Sequence, residues 1–97
     1  MLFRKKPAKR VAQHGFVSGR VQSVAFRFYT RQEATQLQLG GWVQNLADGQ
    51  VEFHVEGEAE AVGEFLDWLR VGPPLARVTD VQLESVPSLD MTVFEIR

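Results

Sequence analysis

The chain has 97 residues, a usual length for one compact domain, which leaves little room for a second hydrophobic core. Hydrophobic residues make up 44% of it and charged residues 24%, as in ordinary soluble globular proteins, and the formal net charge is -1. The absence of cysteine excludes disulfide bonds, thiolate zinc sites and cysteine nucleophiles. Stability must therefore come from packing.

Positive charge is concentrated at the N-terminus, where the first ten residues contain every lysine of the chain and no acidic residue. We expect residues 1–10 to form a flexible, solvated arm and residues 11–97 to form the folded domain. Tethering of this arm to nucleic acid or to an anionic surface is the alternative. No apolar run approaches the roughly 20 residues that span a bilayer, and no secretion signal is evident. We therefore expect a cytoplasmic protein without a membrane segment.

The first half of the chain predicts a strand, a helix and a second strand. Residues 11–21 are rich in β-branched and apolar side chains and lead into a loop that ends near Ala25. A helix of about three turns then follows from an apolar stripe at helical spacing, formed by Phe26, Tyr29, Ala34 and Leu37. Gly40 and Gly41 are expected to supply the left-handed residue that ends it. The second strand begins at Trp42 and reaches Asn45.

The second half predicts a strand, a helix and two further strands. Asp48-Gly49 is a hairpin signal before a strand in which Val51, Phe53 and Val55 alternate with polar residues, as expected for one buried and one solvated face. A stripe of Val62, Phe65, Leu66 and Leu69 predicts the second helix, which Gly72 and Pro73 end. Residues 78–83 and 92–96 are expected to form the closing strands.

This order of elements predicts a ferredoxin-like α+β fold, with two helices on one face of an antiparallel sheet of four to five strands. In this split β-α-β arrangement the first and second strands run parallel with one strand between them. The loop at residues 20–25 and the end of the second strand at Asn45 should therefore meet at one edge, about 10 Å apart.

The residues at that edge predict an anion-binding site. The N-H groups that open a helix bind anions readily, and Arg27 lies in the first turn, where a cation opposes the helix dipole unless an anion is bound. Arginine also matches phosphate geometry with two parallel donors. A phosphate cradle and an ordinary solvated arginine remain alternatives for Arg27.

The same edge offers no covalent nucleophile and no nucleotide-binding loop. The Cys-x5-Arg spacing of covalent phosphatases is missing, as are the glycines and the Lys-Ser/Thr pair of a P-loop. Direct attack by water remains, and the carboxamide of Asn45 can orient a water molecule although it cannot act as a base. A simple turn-forming role is the alternative for Asn45.

Two ordered motifs resemble signatures of the acylphosphatase family. Residues 17–27 read V-S-G-R-V-Q-S-V-A-F-R, where the family has V-x-G-x-V-Q-G-V-x-F-R, and residues 41–45 read G-W-V-Q-N, where it has G-W-V-x-N. D-G-Q-V-E at residues 48–52 and later landmarks extend the likeness over residues 16–97. The resemblance implies hydrolysis of acyl phosphates to a carboxylate and inorganic phosphate, without a metal ion or cofactor.

The resemblance also implies roles for individual residues. Arg27 corresponds to the essential arginine of the family and Asn45 to its water-positioning asparagine. The implied phosphate-binding loop consists of Gln22, Ser23, Val24, Ala25 and Phe26. The implied ligands are small-molecule acyl phosphates and inorganic phosphate. We expect a monomer. We also expect that it binds no nucleic acid, because the aromatic RNP motif of the RNA-binding ferredoxin-like module is missing.

Two residues depart from the family pattern. Ser23 replaces a glycine that can adopt positive φ, and a left-handed serine costs about 1 kcal/mol. Either the cradle is modestly impaired, or the loop has ordinary φ values and the Ser23 hydroxyl donates an additional hydrogen bond to phosphate. Leu46 replaces a threonine whose hydroxyl could help to fix Asn45.

Other interpretations of the sequence remain open. The chain could be a non-catalytic ferredoxin-like module that binds an anion or a partner through an impaired cradle. Similar domains also occur within larger carbamoyl-transfer enzymes, although we expect a chain of this length to act alone. His14 and His54 have no ligand-like spacing, and we interpret them as structural.

Overall fold

The computed structural model describes residues 9–97, which form five strands and two helices in the predicted order. In chain order they are β1 (Arg10–Arg20), α1 (Phe26–Gln36), β2 (Gly40–Asn45), β3 (Val51–Glu58), α2 (Ala59–Val71), β4 (Arg77–Ser85) and β5 (Phe94–Ile96). Strand β1 thus includes the last residue of the predicted arm, and residues 1–8 of that arm lie outside the described part. Within the described part, no helix is long and apolar enough to cross a bilayer.

The strands lie side by side in the order β4-β1-β3-β2-β5, with β1 and β2 parallel to each other on either side of β3. This confirms the ferredoxin-like α+β fold. The expectation of a wholly antiparallel sheet is wrong at one edge, because β5 runs parallel to β2. Strand β4 ends at the end of the sheet where β2 begins. Residues 86–93 cross there, so the chain enters β5 in the direction of β2.

The core lies between the sheet and the two helices. Helix α2 buries Val62, Phe65 and Leu69 as its stripe predicts, and burial of each such side chain stabilises the fold by about 1.5 to 3 kcal/mol. Helix α1 differs from its predicted stripe at one position. Tyr29 is 39% exposed, while Thr30 is fully buried and donates its hydroxyl to the carbonyl of Phe26 at 2.7 Å.

Helix α1 also ends earlier than the glycine pair predicts. Gln38 adopts the left-handed conformation with φ of 59°, and the N-H groups of Gln38 and Leu39 donate to the carbonyls of Thr35 and Ala34. This is the Schellman pattern of helix termination. Gly40 already belongs to β2, where an added Cβ would come within 1.9 Å of the Met91 carbonyl oxygen. Its small size permits this close backbone approach.

The second face of the sheet is partly covered, contrary to the prediction of a solvated row on β3. His54 and Glu56 are buried, and the carboxylate of Glu56 accepts hydrogen bonds from the Ser88 hydroxyl and from the N-H groups of Leu89 and Met91. Burial alone would raise the pKa of Glu56, but these bonds and one to His54 lower it to about 2. Glu56 therefore holds the segment that leads into β5.

Candidate active site

The loop between β1 and α1 has a backbone suited to binding an anion. Val21 and Val24 are buried and anchor it to the core, while Ser23 and Ala25 are exposed. Ser23 and Ala25 have φ of 61° and 57°, whereas Val24 between them is not left-handed. Alternation of this kind turns successive N-H groups toward one side and forms a concave nest. The loop therefore has the geometry predicted for a cradle.

The beginning of α1 adds unpaired donors and a cation to this loop. The first intrahelical bond is donated by the N-H of Tyr29 to the carbonyl of Ala25, so the N-H groups before it have no acceptor within the helix. The first turn contains no acidic residue, and Ala25 provides no side-chain cap. Arg27 lies in that turn and donates from Nη1 to the main-chain oxygen of Arg97 at 2.9 Å. The unpaired N-H groups and the Arg27 guanidinium thus lie at the same helix end.

Strand β5 connects Arg27 with the end of β2. The N-H of Arg97 donates to the carbonyl of Val43 at 2.8 Å, which extends the parallel pairing of these two strands beyond Ile96. Asn45 lies two residues after Val43, on the same face of β2, and is exposed at the end of the strand. The Arg27 guanidinium thus contacts the end of β5, and β5 pairs with β2, the strand that ends at Asn45.

The side chain of Gln22 fixes the loop against the end of β2. Its Nε2 donates to the carbonyls of Leu46 and Gln50, at 2.7 and 2.9 Å. Leu46 also donates its N-H to Gln50, so the backbone directly after Asn45 is held without the hydroxyl that Leu46 lacks. The Gln22 carboxamide is therefore occupied by these bonds and holds the loop in position.

These elements enclose a cleft of about 220 Å³. Five of the seven predicted site residues line it, namely Ser23, Ala25, Phe26, Arg27 and Asn45. Gln22 and Val24 do not line it, because the Gln22 side chain bonds to the hairpin between β2 and β3 and Val24 is buried in the core. Another hollow within residues 9–97 is larger. This cleft is therefore distinguished by the presence of both Arg27 and Asn45 in its lining, and not by its volume.

Comparison with known proteins agrees with this geometry. A model of the family described as Acylphosphatase matches residues 13–96 of the chain. The chain belongs to the acylphosphatase family. This membership confirms the resemblance of the two sequence motifs and supports hydrolysis of acyl phosphates as the general activity of the protein.

Individual acylphosphatases are similar over nearly the whole chain. The acylphosphatase of Anaeromyxobacter dehalogenans is 52% identical over 91 residues, which are 93% of this chain and 98% of the relative. That of Pseudomonas paraeruginosa is 48% identical over 88 residues, with 91% and 97% covered. The solved acylphosphatase of Coxiella burnetii superposes with a TM-score of 0.88 at 41% identity, covering 91% of this chain and 93% of that one.

Three residues of the cleft were not predicted from the sequence. Val21, Phe28 and Ile96 line it together with the predicted residues. Val21 was assigned to the strand, Ile96 to a closing strand and Phe28 to no role. The three residues differ in exposure in the structure, because Phe28 is 51% exposed and Ile96 36%, whereas Val21 is buried. Sequence periodicity does not show which exposed apolar residues border a cleft.

Proposed function

We propose that this cleft hydrolyses acyl phosphates by direct attack of water on phosphorus. The observation that carries the proposal is that Arg27 and Asn45 line the same cleft. The guanidinium supplies a cation with the donor geometry of phosphate, and the carboxamide supplies both a donor and an acceptor for water. The two side chains can therefore bind the phosphate and orient the attacking water without a nucleophilic side chain.

In this proposal, the phosphate lies between Arg27 and the main-chain N-H groups of the predicted loop, residues 22–26, of which Ser23, Ala25 and Phe26 line the cleft. The alternating φ values of the loop support this location, as do the uncapped N-H groups at the start of α1. Bound phosphate also offsets the unfavourable interaction of Arg27 with the helix dipole. These donors stabilise the charge that develops on the phosphoryl oxygens during the reaction.

Asn45 orients the water for in-line attack in this mechanism. A bond forms between the water oxygen and phosphorus while the bond from phosphorus to the acyl oxygen breaks. The carboxylate leaves with the bonding electrons, and a phosphoryl oxygen accepts the proton of the water. Because a carboxylate is a good leaving group, alignment and charge stabilisation can supply most of the rate increase without a strong base.

The left-handed backbone of Ser23 introduces strain into this cradle. Its φ of 61° contradicts the alternative in which the loop keeps ordinary φ values, and glycine would adopt this conformation with about 1 kcal/mol less strain. The Ser23 side chain nevertheless lines the cleft, where its hydroxyl can donate to phosphate. We propose a functional cradle that is modestly weaker than one containing glycine.

Hydrolysis of benzoyl phosphate in H₂¹⁸O containing EDTA tests the proposed reaction. We expect turnover that persists in the chelator, with the label in inorganic phosphate and unlabelled benzoate, because water attacks phosphorus. Label in benzoate would show attack on the carbonyl carbon and contradict the mechanism. Saturable binding of phosphate without turnover would favour the alternative of a non-catalytic anion-binding module.

We further propose that the protein acts on small molecules as a cytoplasmic monomer without nucleic acid as a ligand. Arg27 and Asn45 line the cleft of one protomer, so the proposed mechanism requires no residue from a second copy. Sedimentation at the enzyme concentration of the assay measures the mass, and activity found only in a larger species would contradict this.

A further inference from the structure

Two exposed apolar side chains lie beside the proposed phosphate site. Phe28 projects from the first turn of α1 and Ile96 ends β5, and both line the cleft. The other large apolar residues of the cleft, Val21 and Phe26, are buried in the core. Phe28 and Ile96 therefore provide the apolar surface that a ligand can contact.

Phe28 is not required to fill the core. Helix α1 buries Phe26, Thr30 and Ala34, and Phe28 lies outside this set. Its ring packs edge-on against Tyr29 with centroids 5.3 Å apart, a favourable aromatic arrangement that restricts the orientation of the ring. Ile96 is held next to the buried Val43 by the pairing of β5 with β2. Both side chains thus belong to well-held elements.

The charge distribution of the cleft limits the chemistry of the acyl group. Arg27 is its only charged lining residue among residues 9–97, and in the proposed function its guanidinium binds the phosphate. A second anionic group on the substrate would find no remaining cation there. The acyl carbon is one bond from the oxygen that leaves phosphorus, so an acyl group attached to the bound phosphate lies within reach of the exposed side chains at the cleft.

We propose that Phe28 and Ile96 bind the acyl group and select uncharged aromatic or bulky apolar acyl phosphates over acetyl phosphate. This inference rests on the proposed function of the cleft. A methyl group covers little of the two side chains, whereas a phenyl ring can remove both from water and pack against the Phe28 ring. The selectivity should therefore increase with the apolar area of the acyl group.

The ratio of kcat/KM for benzoyl phosphate to that for acetyl phosphate tests the inference. We expect wild type to favour benzoyl phosphate and Phe28→Ala to lower the ratio about tenfold, the scale on which apolar pocket contacts discriminate between substrates. Ile96→Ala should lower it less, because its side chain is smaller. Leu75→Ala is the matched control, since Leu75 is exposed and does not line the cleft.

The possible outcomes separate this inference from the proposed function. A ratio that falls in Phe28→Ala and is retained in Leu75→Ala supports the acyl-binding surface. Hydrolysis of both substrates with the same ratio in wild type and Phe28→Ala contradicts it and leaves the proposed function intact. Hydrolysis of neither substrate by wild type contradicts both.

Discussion

Replacement of Arg27 by alanine is expected to reduce hydrolysis of benzoyl phosphate to the background rate, a loss of about 10³-fold or more. The change removes the only charged side chain that lines the cleft within residues 9–97. The loop N-H groups would then have to balance the phosphate charge alone. Steady-state kinetics and inhibition by inorganic phosphate measure the effect, and both turnover and phosphate inhibition should be lost.

Two further variants make this result specific. Arg31→Ala removes a positive charge one turn later on α1, from an exposed position outside the cleft, and should retain nearly full activity. Arg27→Lys keeps the charge but lacks the two-donor geometry, so its activity should lie between those of wild type and Arg27→Ala. Retention of a tenth or more of wild-type turnover by Arg27→Ala would contradict the role assigned to Arg27.

Replacement of Asn45 by alanine is expected to lower kcat by about 10²-fold or more with little change in phosphate inhibition. The carboxamide acts on water in the proposed mechanism, so its loss should impair alignment in the transition state and leave ground-state binding of phosphate intact. Measurements of kcat and of the inhibition constant for inorganic phosphate separate these two effects.

Gln44→Ala provides the matched control for Asn45. Gln44 is the neighbouring carboxamide on β2, but it points to the opposite face of the sheet and donates to Glu52 at 2.6 Å. This variant should retain activity close to that of wild type. Full turnover by Asn45→Ala, or loss of phosphate inhibition in that variant, would show that Asn45 does not have the proposed role.

The meeting of Arg27 with Asn45 was predictable because it follows from topology. Two parallel strands separated by a third must present their C-terminal ends at the same sheet edge, and the order of strands and helices was readable from hydrophobic periodicity. Arg27 lies at the beginning of α1 and Asn45 at the end of β2. An error of one residue in a predicted helix or strand boundary therefore leaves both residues at the same sheet edge. Local patterns were therefore sufficient to place the pair at one edge, whereas the roles of its two members came from the resemblance to the acylphosphatase motifs.

The covered second face of the sheet was not predictable from the same patterns. His54 and Glu56 follow the alternation of a solvated row, yet both are buried, and the chain after β4 binds Glu56 through Ser88, Leu89 and Met91. The segment at residues 86–91 has no helical or strand periodicity of its own. Its position depends on hydrogen bonds to Glu56 over more than 30 residues of sequence, and the parallel direction of β5 follows from its path.

Some details of the site depend on side-chain partners that the sequence motif does not specify. Gln22 belongs to the loop motif, but its carboxamide binds the β2–β3 hairpin, a long-range pairing that local sequence cannot show. The left-handed conformation of Ser23 is another example, because serine normally avoids it. Packing of Val21 and Val24 on either side fixes the loop in this form.

The central claim is that Arg27, Asn45 and the loop N-H groups face one common anion. Titration of the ¹⁵N-labelled protein with inorganic phosphate tests it most directly, since NMR resolves the Asn45 side-chain NH₂, the Arg27 Nε-H and the loop amides. We predict that all of these signals shift along one saturable curve with a single dissociation constant. A response of Arg27 while the Asn45 carboxamide stays unchanged to saturation would contradict the claim.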